Sequence, residues 1–171
     1  GNAEKEFLNF IEKSGIPSAW TILGLSAIPT DHPLNVGMLG MHGNYGPNKL
    51  TNECDLLIAI GMRFDDRVTG DLNNYAKQAK IIHFEIDPAE INKNVEVDIA
   101  VLGDVKETLS KILPKIKNNK HKSWLDKFRK LNQIEFIKVI DKEYNKNSGG
   151  ISMAEVIKSI NNNTDGNSIL V

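Results

Sequence analysis

The sequence predicts an α/β protein built on a doubly wound, mostly parallel sheet. Two near-continuous apolar runs, Asp55 to Gly61 and Lys80 to Asp87, end in a glycine or in carboxylates, the pattern of strands buried on both faces of a parallel sheet. Strand-like runs alternate with segments of helical spacing, as parallel sheets with crossover helices require. A length of 171 residues, 40% hydrophobic and 25% charged, suits one globular domain with a sizeable core.

Each element has its own signal. Ala3 to Ser14 places Phe7, Leu8 and Ile11 on one face, with Gly15 and Pro17 closing a short amphipathic helix. Ser18 to Leu23 reads as a strand, and Gly24 to Gly46 as a long Gly/Pro/Asp-rich loop with little periodicity. Tyr45 to Asn52 follows as a helix with Pro47 in its first turn. After the two apolar strands, Pro88 stops the second, and Val97 to Leu102 is a third, ending at Gly103-Asp104. Val105, Leu109, Ile112, Leu113 and Ile116 then recur at helical spacing. Lys122 to Tyr144 carries an approximate apolar stripe through Trp124, Phe128, Leu131, Ile134 and Ile137. Asn147 to Gly150 looks like a hinge, and Ser152 with Glu155 forms a capping box that opens a further helix. Asp165-Gly166-Asn167 reads as a turn before a terminal strand, Ser168 to Val171.

Composition excludes several function classes. The net charge is −1, with 21 basic and 22 acidic side chains, so neither nucleic acid nor an anionic membrane is expected as partner. That balance hides opposite halves: residues 1–105 hold 8 Lys/Arg against 15 Asp/Glu, and residues 106–146 hold 12 against 5. The basic stretch reads as the solvated face of a linker helix. A single cysteine, Cys54, gives no internal disulfide and no zinc cluster, and the chain is expected to be intracellular. No apolar run approaches the roughly 18 residues of a membrane span. Gly1 at one end and an uncapped apolar run at the other lead us to expect a segment of a longer polypeptide.

The residues that could carry chemistry sit at the carboxyl ends of the predicted strands, where ligands bind in such sheets. Gly37, Gly40, Gly43 and Gly46 recur every third residue and would let backbone approach a ligand, although a plain flexible loop has the same spacing. Arg63-Phe64-Asp65-Asp66-Arg67 follows a strand directly, where two cations and two carboxylates could hold an anion or pair with each other. Glu85 and Asp87 end the next strand, where a carboxylate can accept ribose hydroxyls. His32, His42, His83 and His121 lack metal-site spacing. His83 is expected to be a satisfied core histidine and Cys54 a buried small hydrophobe.

Taken together, these motifs resemble acetolactate synthase, also called acetohydroxyacid synthase, a thiamine-diphosphate enzyme family of branched-chain amino-acid synthesis. The resemblance runs through Thr21-Ile22-Leu23-Gly24-Leu25, His32-Pro33-Leu34, Gly37-Met38-Leu39-Gly40-Met41-His42-Gly43, Gly61-Met62-Arg63-Phe64-Asp65-Asp66-Arg67-Val68-Thr69-Gly70, Ile86-Asp87-Pro88-Ala89-Glu90-Ile91 and Gly103-Asp104-Val105. It covers residues 3–115, and Phe64 to Gly70 is its most specific part.

The resemblance implies the middle domain of a three-domain catalytic subunit: a Rossmann-like, six-stranded FAD-binding domain over residues 1–116, with its first strand truncated. A basic helical linker (117–150) and the start of a thiamine-diphosphate domain (151–171) would follow. By matched position, Thr21 and Ile22 would line the flavin, and Leu39, Gly40, Met41 and His42 would approach it. Gly61, Met62, Arg63, Phe64 and Asp65 would follow the diphosphate and ribityl chain, with Arg67 and Val68 nearby. Glu85, Ile86, Gly103 and Asp104 would meet the adenosine end. Met41, His42, Asp66 and Arg67 would also border the substrate channel. The parent enzyme would condense two pyruvates, or pyruvate with 2-oxobutyrate, with loss of CO2. The activating glutamate and the Mg2+ motif would belong to other domains, leaving this segment inactive alone. A homo-oligomer, a regulatory subunit and a bacterial cytoplasmic or plastid location are implied as well. A carboligase, oxidase or decarboxylase of the same superfamily, or a purely structural packing domain, are the alternatives.

Overall fold

The structure, a computed structural model, describes residues 1–144 and 150–169. Helix α1 (Glu4–Ser14) buries Phe10 and Ile11, and Gly15 ends it in the left-handed region at φ +67°. Strand β1 (Ser18–Trp20) is shorter than expected, because Ile22–Gly24 winds into a 3-10 turn. Its parallel partner β2 (Asn35–Met38) ends its pairing at Trp20↔Met38. Past Trp20 there is no further ladder to join, and Ile22 and Leu23 are left 66% and 87% exposed. β2 itself falls inside the segment expected to be a loop. Pairing with β1 makes it a strand where its own residues carry little strand preference.

Helix α2 (Tyr45–Thr51) leads to β3 (Leu56–Ile60), and the short helix α3 (Asp66–Thr69) precedes β4 (Lys80–Glu85) and β5 (Ile99–Leu102). These three strands form a parallel sheet with β4 in the middle. Alternation along β4 divides the core. Ile82 and Phe84 point toward α1 and helix α4 (Val105–Ile112), joining Phe10, Ile11, Ile28 and Leu109. Ile81 joins Ala59, Phe64, Tyr75 and Ala76 in a second cluster. α4 passes into a 3-10 turn, Leu113–Lys115, because Pro114 has no N–H to continue the helix.

All five strands pair in parallel, in sheets of two and three. The expected single six-stranded sheet is therefore corrected. Outside these strands the described residues lie in helices, turns or loops, so no described segment supplies a sixth. β3 is also not buried on both faces: it lies at the edge of its sheet, and Leu56 is 42% exposed.

Helix α5 (Lys122–Glu135) continues through a π-helical turn, Phe136–Ile140, into α6 (Asp141–Tyr144). Trp124, Leu125, Phe128 and Leu131 pack α5 against Val36 and Leu50. Helix α7 (Met153–Asn163) starts with the expected capping box, Ser152 to Glu155. Asp165 to Asn167 turn after it, but Ser168 and Ile169 form no strand. Leu170 and Val171 lie outside the described residues, as does most of the expected hinge.

Cys54 is half-buried, and its thiol donates to the Thr51 carbonyl (3.1 Å). Burial pushes the Cys54 thiol up, with the neighbouring Asp55 charge adding to it; burial also pushes the Tyr75 phenol up, with Cys54 contributing. Both groups hold their protons more tightly folded than unfolded. Their stabilisation is thus complete below the unfolded values and is lost as pH rises through the alkaline range. The melting temperature should fall between about pH 8 and 11, the ordinary thiol and phenol range. In Cys54→Ala/Tyr75→Phe that decline should be shallower; an unchanged slope would show that other groups set it.

Candidate functional site

The turn from β2 into α2 is pinned at both ends. Leu39 N–H donates to Trp20 O (2.8 Å), Asn44 N–H to Met38 O (2.8 Å), and Met38 N–H to Asn44 Oδ1 (2.9 Å). Between these points Asn48 makes a reciprocal pair with Gly40, accepting from its N–H and donating to its carbonyl, both at 2.9 Å. Met41 N–H then donates to Arg67 O at 2.7 Å. The glycine spacing is thus explained largely by packing. Gly40 sits at φ +108°, and a Cβ there would lie 2.9 Å from Arg67 O. The N–H groups of Gly40 and Met41 serve this scaffold.

Beyond β3, Gly61 adopts φ +61° with open space where a Cβ would be. Asp65 caps α3, its carboxylate accepting from Arg67 N–H (3.1 Å), and Thr69 Oγ1 donates to Asp65 O (3.1 Å). Neither Arg63 nor Arg67 forms an ion pair with Asp65 or Asp66 among the described residues. Of the two arrangements considered for this charge cluster, mutual pairing is not realised. Arg63, Asp66 and Arg67 are exposed, and Met62, Asp65 and Val68 half-buried. Phe64 departs from expectation: at φ +52° its ring is buried edge-on to Tyr75 and His83, with centroids 6.2 and 5.0 Å apart. It is a core residue here, because the turn throws its side chain back under β4.

An open cleft of about 430 Å³ joins the two segments. Leu39, Gly40 and Met41 line it together with Asp66, Arg67 and Val68. Asn48, Thr51, Asn52, Thr69, Gly70 and Tyr75 complete it. Those last six were missed: Asn48, Thr51 and Thr69 are polar residues on short helices, and Asn52, Gly70 and Tyr75 lie outside them, so none carries a periodic signal. Thr21, Ile22 and His42 do not line the cleft, and neither do Gly61 to Asp65.

A second row follows the carboxyl edge of the larger sheet. Gly61 N–H donates to Phe84 O and Gly103 N–H to Glu85 O, at 2.8 and 2.9 Å. Ile86 is exposed, and Asp104 caps α4 by accepting from Glu107 N–H (3.2 Å). Glu85, expected to meet ribose hydroxyls, is 7% exposed, and its Oε1 accepts from Ile86 N–H (2.8 Å) and Asp87 N–H (3.2 Å). The side chain is thus taken up by its own turn. Its Oε2 lies 3.7 Å from Nε2 of the fully buried His83. His83 is a core histidine as expected but not a satisfied one: neither ring nitrogen has a hydrogen-bond partner among the described residues.

Residues 1–112 match the family described as thiamine pyrophosphate enzyme, central domain. The chain belongs to that family. The chain is 46% identical over 137 residues to a probable acetolactate synthase large subunit of Methanocaldococcus jannaschii, covering 77% of this chain and 23% of that protein. It is 36% identical over 173 residues to the acetolactate synthase large subunit of Buchnera aphidicola subsp. Schizaphis graminum, covering 99% and 29%. Against the chloroplastic acetolactate synthase 1 of Zea mays it is 48% identical over 105 residues, covering 61% and 16%. The resemblance read from the motifs is borne out. The chain spans less than a third of the length of each of these relatives. Among the described residues no helix is long and apolar enough to cross a membrane, and no group of three or more His, Cys, Asp or Glu could hold a metal ion.

Proposed function

We propose that this central domain is the FAD-holding scaffold of an acetolactate synthase large subunit. The parent enzyme would condense two pyruvates, or pyruvate with 2-oxobutyrate, with loss of CO2. The observation that carries the reading is the docking of Leu39-Gly40-Met41 onto Asp66-Arg67-Val68 through Met41 N–H and Arg67 O across one cleft. Two of the motifs that carry the resemblance thereby form a single ligand-sized opening, within the roughly 300–1,000 Å³ of small-molecule sites.

The residues fit a flavin dinucleotide in part. Gly61 presents bare backbone to open space at a strand's carboxyl end, where backbone can approach a diphosphate closely. Arg63 and Arg67 are exposed cations in the segment that follows, and Leu39, Met41 and Val68 offer apolar contact to a planar ring. Thr21 and Ile22, at the end of β1, and His42 flank the loop. Gly103, Asp104 and Ile86 would meet the adenosine end. Glu85 and Phe64 support that surface from within the core. FAD would serve there as a structural group, with no redox step in the main reaction. Thiamine diphosphate and Mg2+ would be held by other domains of the subunit, with residues 117–150 as a linker and 151–171 opening the next domain. The full-length subunit would form a homo-oligomer, with a regulatory subunit as a further partner, inside a bacterial cytoplasm or a plastid.

Titrating the chain with FAD tests the reading. A ligand bound only by the folded state stabilises it by about 2.7 kcal/mol at 100 times its Kd, so a clear rise in melting temperature is expected. No shift would favour the packing-domain alternative for this chain. With pyruvate, thiamine diphosphate and Mg2+ the chain should form no acetolactate, and turnover would overturn the scaffold assignment.

A further inference from the structure

The glycine turn is held from the far end of the chain. Glu135, the last residue of α5, accepts through Oε2 from Asn44 Nδ2 (3.3 Å) and from Tyr45 N–H (3.1 Å). One helical turn earlier Asn132 donates to Val36 O at 3.1 Å. Its Oδ1 lies against Gly46, where a Cβ would collide with it. The two side chains thus grip the strand entering the turn and the helix leaving it. Asn44 connects them to the turn itself, since its backbone and side chain both bond Met38.

Apolar packing of Trp124, Phe128 and Leu131 attaches α5 to β2 and α2. Such contacts are non-directional and do not fix register. The amide and carboxylate are directional, and a bond to a charged acceptor is among the stronger ones. Glu135 also offers negative charge where Tyr45 opens α2, which favours that helix end. After Glu135, Phe136, Ile137 and Val139 in the π-helical turn are exposed.

We propose that Asn132 and Glu135 are positioning residues for the Leu39–Met41 turn, so that ligand recognition at the cleft depends on a helix outside residues 1–112. Identifying the ligand as a flavin rests on the proposed function; the effect on the turn does not. Glu135→Ala, Glu135→Gln and Asn44→Asp should be compared in the full chain by NMR amide exchange and by FAD titration. Glu135→Ala should speed exchange at Met38 and Tyr45 by about 10-fold, as expected for losing a bond to a charged group, with Ile82 in β4 unchanged. FAD affinity should fall by a similar factor. Glu135→Gln keeps an acceptor oxygen and should restore most of both. Asn44→Asp sets one carboxylate against another and should mimic Glu135→Ala, which keeps the test available if the alanine variant does not fold. Unchanged exchange at Met38 and Tyr45 in a folded variant overturns the proposal, as does failure of Glu135→Gln to restore it. If exchange changes but the parent chain binds no FAD, positioning stands and the flavin reading falls.

Discussion

Replacing Phe84 by alanine should lower the free energy of unfolding by about 3–5 kcal/mol, the usual range for deleting a buried aromatic ring. Phe84 is 4% exposed and lies on the middle strand, with Ile60 on one side and Val101 on the other. Its ring shares a cluster with Phe10, Ile11, Ile28 and Leu109, so it bridges both covering helices and the loop before β2. Neighbours held by a parallel ladder have little freedom to collapse into the void. Typical domains have 5–15 kcal/mol in all, so the variant should be close to unfolding at ambient temperature. Phe84→Leu keeps most of the volume and should lose far less. Urea unfolding measures both. A loss below about 1 kcal/mol for the alanine variant would mean that the cluster is more loosely packed than the structure has it. Because Phe84 O accepts from Gly61 N–H, the variant should also loosen the edge where a ligand would lie.

Legibility in the sequence followed how local each determinant is. β3 and β4 were evident because their apolar runs are continuous, and the Ser152–Glu155 cap because both partners lie within one turn. β2 was not evident, since Asn35-Val36-Gly37-Met38 has one branched apolar residue and becomes a strand only beside β1. The six-strand expectation came from resemblance rather than from runs in this chain, and five strands in two sheets replace it. Glu85 and Phe64 were assigned outward by position, yet each turns inward: the carboxylate onto two adjacent N–H groups, the ring onto Tyr75 and His83. Spacing does not encode such rotations. The basic stretch was read as a solvated helix, and its described Lys and Arg side chains are exposed, but Asn132 and Glu135 on the same helix bond to residues 90 or more positions earlier. No local pattern could have given those contacts.

Gly40→Ala should have the largest effect on the cleft. At φ +108° an L side chain is strained, by about 1–3 kcal/mol. Space is a second obstacle, because the new Cβ would sit 2.9 Å from Arg67 O, a backbone atom that cannot rotate away. That oxygen is also the acceptor for Met41 N–H. Relief therefore means separating the turn from α3, which moves the two groups of lining residues apart. FAD affinity should drop by about 100-fold, equivalent to some 2.7 kcal/mol. Gly61→Ala separates the two causes. Gly61 also has a positive φ, but nothing lies within 4 Å of its added Cβ, so it carries backbone strain without the collision. If crowding against Arg67 matters, Gly40→Ala should lower the melting temperature well beyond Gly61→Ala, since it adds the collision to the strain. Equal falls in melting temperature would assign the effect on stability to backbone strain alone. Wild-type affinity in Gly40→Ala would show that the docking of the turn on α3 has no part in ligand binding.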